Sequence, residues 1–302
     1  MSILVVGSVA YDTVETPFGR AERVLGGSAS FFSVAASFFT PVNLVGVVGS
    51  DFGEAQLAAF RGRAIDLEGL EHMEGKTFHW QGKYSYDLNS RDTICTDLNV
   101  FEFFKPKIPA RYRDSQAVFL GNIDPVLQRE VLEQVRSPRV VACDTMNFWI
   151  NGKAEELRKT LAKVQVLLVN DAEARELSGE WNLVKAARAI RAMGPRTVVV
   201  KKGEHGVVMF DGEDVFAAPA FPLENVFDPT GAGDTFAGGF MGYLASTGEL
   251  DNAALRRAIV MGSTLASFSV EAFSLDRLLT LTRAQIEERY RLFRGLTVFA
   301  AL

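Results

Sequence analysis

A chain of 302 residues, 48% hydrophobic and 23% charged, can bury a full core, which excludes a disordered or low-complexity protein. Its net charge of −5 offers no overall basic field to a nucleic-acid backbone, although a local pocket can still hold a small anion. Cys95 and Cys143 stand outside any CxxC spacing, and His72, His79 and His205 form no metal-binding pattern, so the thiols read as ordinary ones in a reducing compartment. The start, "MSILVVGSVAYD", lacks a basic leader and a long apolar run, and no segment reaches the length of a membrane span. The expectation is a cytoplasmic protein with neither a nucleic-acid nor a membrane partner.

Short apolar runs mark strands at Ile3–Val9, Asn43–Gly49, Ala117–Asn122, Arg139–Asp144, Val164–Asn170 and Thr197–Gly203. They are apolar on both faces, as parallel strands buried on both sides are. Helical patterns fall between them at Ser28–Phe39, Pro125–Val135, Asp171–Leu177 and Leu183–Met193. The alternation predicts an α/β fold, a doubly wound, mostly parallel sheet flanked by helices. Two segments break the order. Residues 13–25 read as a hairpin turning near Gly19, and residues 77–104 as a longer one turning at Asn89–Asp92. The first arm of the longer hairpin puts Phe78, Trp80, Tyr84 and Tyr86 on one face and His79, Gln81, Lys83, Ser85 and Asp87 on the other. We read the two segments as a small β-sheet lid; a second sheet that only packs on the core is the alternative.

The stretch "DPTGAGDTFAGGF" (Asp228–Phe240) opens a helix near Gly231 or Ala232. The first amides of a helix lack intrahelical partners and carry the positive end of its dipole. Glycine at 231 and 233 lets an anion approach the backbone closely. Asp234 beside such an anion would repel it, a poor design for binding alone. It suits a base that takes the proton of a hydroxyl attacking phosphorus. The plain alternative is a first-turn helix acid favoured by the dipole.

The stretch resembles the C-terminal signature of the PfkB family of carbohydrate kinases, the ribokinase-like fold, with Pro229 where threonine is usual. "GSVAYD" (Gly7–Asp12), "LGGSASFFSVAASFF" (Leu25–Phe39), "VGVVGSDFGE" (Val45–Glu54), "NDAEA" (Asn170–Ala174) and "VKKGEHG" (Val200–Gly206) resemble further family segments in the same order. The resemblance covers the whole chain and implies a single domain, 1–302, with the lid at about 13–25 and 77–104. It implies an ATP-dependent kinase of a sugar or nucleoside with Asp234 as base and Gly231, Ala232 and Gly233 as the anion hole. Asn170 and Glu173 would organise hydrated Mg2+; some members also use a monovalent cation near the cradle. Thr230, Lys201, Gly203 and Gly206 would lie near the nucleotide, with Gly262 and Ser263 walling the adenine.

For substrate, the resemblance implies Asp12 on two hydroxyls and Gly26 and Gly27 close to it. Asn122, Asp124, Asp144 and Asn147 follow strands and are expected at the cleft edge. The family's usual substrate-binding asparagine is replaced by Phe31, which either stacks on a planar substrate part or belongs to the core. The aromatic lid face has three readings open: covering substrate, packing on the main domain, or pairing with a second copy's lid. A non-catalytic sensor on the same fold would need no base. A nicotinamide dehydrogenase fails because "GSVAYD" offers no GxGxxG.

Overall fold

The computed structural model describes residues 1–298. Its strands are β1 (Ile3–Val6), β2 (Ala10–Thr16), β3 (Gly19–Gly26), β4 (Val42–Val48), β5 (Ile65–His72), β6 (His79–Tyr84), β7 (Arg91–Asp97), β8 (Ala117–Leu120), β9 (Val140–Asp144), β10 (Val166–Asn170), β11 (Thr197–Lys201), β12 (Val207–Asp211) and β13 (Asp214–Ala218). Its helices are α1 (Ser28–Ala36), α2 (Glu54–Leu57), α3 (Pro125–Gln134), α4 (Asn147–Gly152), α5 (Ala154–Leu161), α6 (Asp171–Ser178), α7 (Leu183–Arg191), α8 (Ala232–Thr247), α9 (Asn252–Ser269), α10 (Asp276–Thr280) and α11 (Arg283–Thr297). The main sheet has nine strands in the order β13-β12-β11-β10-β9-β8-β1-β4-β5. From β5 to β11 neighbouring strands run parallel, and β12 and β13 return antiparallel.

Alternation along β1 shows why the fold is doubly wound. Ile3 and Val5 pack with α1, α8 and α9 on one face; Leu4 and Val6 pack with α3, α5, α6 and α7 on the other. Strand order reverses across β1, so the carboxyl ends of β1, β8, β9, β10 and β11 open onto one crevice, where α/β sheets bind ligands.

The segments expected to form a lid build one four-stranded sheet, β3-β2-β6-β7. The hairpins meet through a parallel β2–β6 pair in which Asp12 stands opposite Trp80. Only Trp80 and Tyr84 of the expected aromatic face lie on β6. Phe78 precedes the strand and stacks on Phe101, with ring centroids 5.2 Å apart, which ties the sheet to the main domain. Tyr86 lies in the turn beyond the strand and is 85% exposed. Residues 99–103 leave the sheet as a 3-10 turn.

Helix α8 must reach the crevice through a crowded layer. A side-chain carbon on Gly238 would collide with the Phe32 carbonyl, and one on Gly242 would lie 2.9 Å from Ala36 Cα. Against α9, one on Gly239 would lie 3.1 Å from Gly262 Cα. Gly238→Ala should therefore destabilise the protein by about 1–3 kcal/mol in denaturant unfolding. Gly152→Ala, with nothing within 4 Å of the added carbon, is the control and should be neutral or slightly stabilising. Equal tolerance of both would remove this packing account.

Candidate active site

The loop before α8 is held by its own carboxylate. Asp228 accepts hydrogen bonds from the amides of Thr230 (2.8 Å) and Ser274 (3.4 Å). Gly231 then turns into the left-handed region at φ 73°, with the buried Phe31 ring directly against it. The Thr235 amide bonds to the Gly231 carbonyl at 2.8 Å, and the Ala232 amide reaches Pro229 at 3.2 Å. Among the described residues the Gly233 and Asp234 amides have no backbone carbonyl partner. Two donors at the positive end of a sixteen-residue helix thus remain for an anion.

Lys201, the last residue of β11, rises under this turn; a side-chain carbon on Gly233 would lie 2.9 Å from its Nζ. Its ammonium pairs with Asp144 Oδ2 at 3.4 Å, at the end of β9. Burial works against the Lys201 charge, but Asp144, Glu173 and Asp234 outweigh it, and the pKa is raised. Asn170 ends β10 and closes a capping box with Glu173: each backbone amide donates to the other's side chain at 2.8 Å. Burial, then the charge of Asp144, raises the Glu173 carboxyl above its ordinary range, against the pull of Lys201. Asp234 is raised for the same two reasons, opposed by Lys201 and Arg91. Asp12 is pushed up to about 7, first by burial and then by Asp228 and Asp234. Asp12, Glu173 and Asp234 are thus raised by burial and by one another's neighbourhood of acids, and Asp228 is raised by burial.

A model of the pfkB family of carbohydrate kinases matches residues 2–280. The chain belongs to that family. It is 32% identical over 250 residues to a cytidine kinase of Thermococcus kodakarensis, covering 80% of this chain and 87% of the relative. It is 27% identical over 291 residues to a ribokinase of Lactococcus lactis, covering 90% and 91%. Among solved structures, a Burkholderia thailandensis nucleoside kinase in complex with inosine superposes with a TM-score of 0.78 at 19% identity, covering 97% and 98% of the two chains. That likeness supports the ribokinase-like fold alone. The family implies ATP as co-substrate and usually Mg2+.

The donor set of this kinase fits a hydrated magnesium ion better than a bare one. Among the described residues no group of three His, Cys, Asp or Glu side chains is arranged to hold a metal. Glu173 has one carboxylate oxygen outside the capping box, and the surplus of acid around it favours a cation. Mg2+ keeps several waters, so one amide and one carboxylate beside phosphates suffice.

Other expected site residues fall in different places. Asn122 gives its amide to Met146 Sδ (2.9 Å) and accepts from Trp149 Nε1 (2.9 Å), so it fixes α4. Asp124 caps α3 through the Val126 amide and pairs with Lys153. Asn147 caps the Phe148 amide at 3.0 Å. Gly262 is buried against Phe236 and lets α9 cross α8; Ser263 beside it is 9% exposed. Gly206 turns between β11 and β12, against the Ala218 carbonyl. Gly203 lies beneath the lid turn, where a side-chain carbon would be 3.1 Å from Asn89 Oδ1. Gly26 covers the Asp12 carboxylate, and Gly27, at φ 92°, leaves no room for a side chain against the Ser8 carbonyl (2.5 Å). Sequence reading passed over Arg91, whose charge bears on Asp12, Glu173 and Asp234.

The crowding has a sign. Asp12, Glu173 and Asp234 bind protons more tightly folded than unfolded, so their contribution to stability is complete below about pH 4 and lost as pH rises through about 7. The ligand-free protein should melt at a lower temperature at pH 8 than at pH 5.5. Asp234→Asn should raise the melting temperature at pH 8 more than at pH 5.5. A melting temperature that climbs from pH 5.5 to 8 would contradict the crowded-carboxylate account.

Proposed function

We propose that the chain is a nucleoside kinase that moves the γ-phosphoryl group of ATP onto a sugar hydroxyl. The observation that carries this reading is the 32% identity to a cytidine kinase across 80% of this chain and 87% of the relative. Asp12 accepts sugar hydroxyls at the inner lid edge, with Gly26 and Gly27 admitting the ring closely. Asp234 takes the acceptor proton; its raised affinity for a proton suits a base working near neutral pH. The amides of Gly233 and Asp234, which have no backbone carbonyl partner among the described residues, receive the charge that builds on the phosphoryl oxygens. Lys201 holds a positive charge beneath them. When bound, Mg2+ would offset phosphate charge from the side of Asn170 and Glu173.

Recognition of a planar base falls to the lid rather than to Phe31. Phe31 is 1% exposed and supports Gly231, so packing is the role its position favours. Trp80 stands opposite Asp12 in the β2–β6 pair and shares its face of the sheet. Its ring lies along Gly82, where any larger residue would collide with it. Such a ring beside the hydroxyl-binding carboxylate gives a base a surface to stack on.

An ADP-release assay over cytidine, uridine, inosine, ribose and fructose tests the reading. A nucleoside should exceed ribose in kcat/KM by at least about tenfold, and Trp80→Ala should raise KM for the nucleoside while leaving ribose nearly unchanged. Ribose or fructose as the better substrate would return the chain to the sugar kinases. In the same assay Asp234→Asn should keep ATP binding and lower kcat by about 10²–10⁴. A nearly normal kcat would remove Asp234 from the chemistry.

A further inference from the structure

The β2–β3 hairpin of the lid is seated on two loops of the main domain. Loop 225–231 leads into α8, and loop 270–275 joins α9 to α10. The amides of Phe227 and Asp228 both donate to the Val270 carbonyl, at 2.8 and 3.4 Å, so the two loops form one unit. The hairpin meets this unit at both of its ends. At its turn, the Phe18 ring sets an edge against Phe227, with centroids 6.3 Å apart. A side-chain carbon on Gly19, beside it, would lie 3.3 Å from the Phe273 ring. At its base, Ser274 Oγ donates to the Leu25 carbonyl. Among the described residues this is the hydrogen bond that joins the unit to β3. Leu25 precedes Gly26, which lies against the Asp12 carboxylate.

Ser274 makes this bond from a costly backbone. Its φ is 56°, in the left-handed region that a residue with a side chain rarely adopts, and it is 7% exposed. Such a conformation persists only where the surroundings hold it. The Ser274 amide donates to Asp228 Oδ2 at 3.4 Å, while the Thr230 amide donates to Oδ1 at 2.8 Å. One residue thus touches both the carboxylate that shapes the glycine loop and the strand that leads to Asp12. We propose that Ser274 is a positioning residue that sets the acceptor hydroxyl held at Asp12 against the phosphoryl group held at the Gly233 and Asp234 amides. The inference rests on the kinase reading above. In the transfer, the acceptor oxygen bonds to the γ-phosphorus and its proton passes to Asp234. The bond from phosphorus to the bridging oxygen breaks, and that oxygen leaves on ADP with the electron pair. The reacting oxygen and phosphorus must first be held about 3–3.5 Å apart and in line. Asp12 fixes one of them through the hairpin, and the amides at the start of α8 fix the other. Ser274 Oγ ties the two supports together.

The test compares Ser274→Ala and Ser274→Gly with wild type, using Mg-ATP and cytidine. Both variants lack the hydroxyl, but only glycine adopts this φ without steric cost. The glycine variant should therefore melt about 1–3 °C above the alanine variant. Turnover should not follow that order. In both variants kcat should fall by about tenfold, with KM for cytidine and for Mg-ATP within about twofold of wild type. A misaligned acceptor also lets water compete for the phosphorus, giving ADP and inorganic phosphate. Both variants should thus release more ADP than phosphorylated cytidine, where wild type releases equal amounts. Activity that follows the melting temperature, near wild type with glycine and impaired with alanine, would mark a merely structural role and overturn the proposal. A kcat within about twofold of wild type in both variants, or a loss confined to KM, would overturn it as well. If wild type prefers ribose to cytidine, the nucleoside reading fails, and the same comparison run with ribose decides the role of Ser274.

Discussion

The ammonium of Lys201, 3.4 Å from Asp144, holds together a crevice that would otherwise repel itself. Glu173 and Asp234 bear on the same charge, and Asp12 lies within the field of Asp234. Burying several carboxylates in one place is costly unless cations or protons compensate. The ligand-free protein compensates partly with Lys201 and partly with protons. Such a site is poorly arranged for stability and well arranged for meeting a cation-bearing nucleotide. A base with a raised pKa and a strongly held lysine follow from one charge distribution.

The fold exists to bring these groups to one edge. Asp144, Asn170 and Lys201 end three adjacent parallel strands, β9, β10 and β11, so their side chains converge without any loop having to reach. Asp234 comes from the far side, on a helix whose glycines permit contact with α1 and α9. Phe31 completes this arrangement from below. Its ring fills the space under Gly231 and thereby fixes both the residue type and the left-handed turn there. The lid adds Asp12 through β2 and the facing Trp80 through β6.

Much of this was legible in the sequence because the signals were local. Apolar runs marked the buried parallel strands, and the spacing in "DPTGAGD" marked the helix entrance. Strand β5 was missed because Ile65–His72 lies at the sheet edge and carries acidic residues outward. The β12–β13 hairpin was missed although Asp211-Gly212, with Gly212 at φ 57°, is a strong turn signal. Asn122 lies at a strand end as expected, and it also bonds Met146 and Trp149, partners that only tertiary structure reveals. Arg91 was hidden for a further reason. The β6–β7 register shifts between Gln81 and Gly82, skipping Ile94, and a one-residue shift decides which side chains face the cleft.

The central claim concerns the proton affinity of the crevice, and titration of its side-chain carboxyl groups by carbon-13 NMR measures that directly. In the ligand-free protein, the signals lost in Asp12→Asn and Asp234→Asn should still be titrating in the neutral range, Asp12 at about 7. In each single variant, the carboxylate that remains should titrate at lower pH, because one repelling neighbour is gone. Both groups fully ionised by about pH 5, and indifferent to each other's removal, would contradict the account.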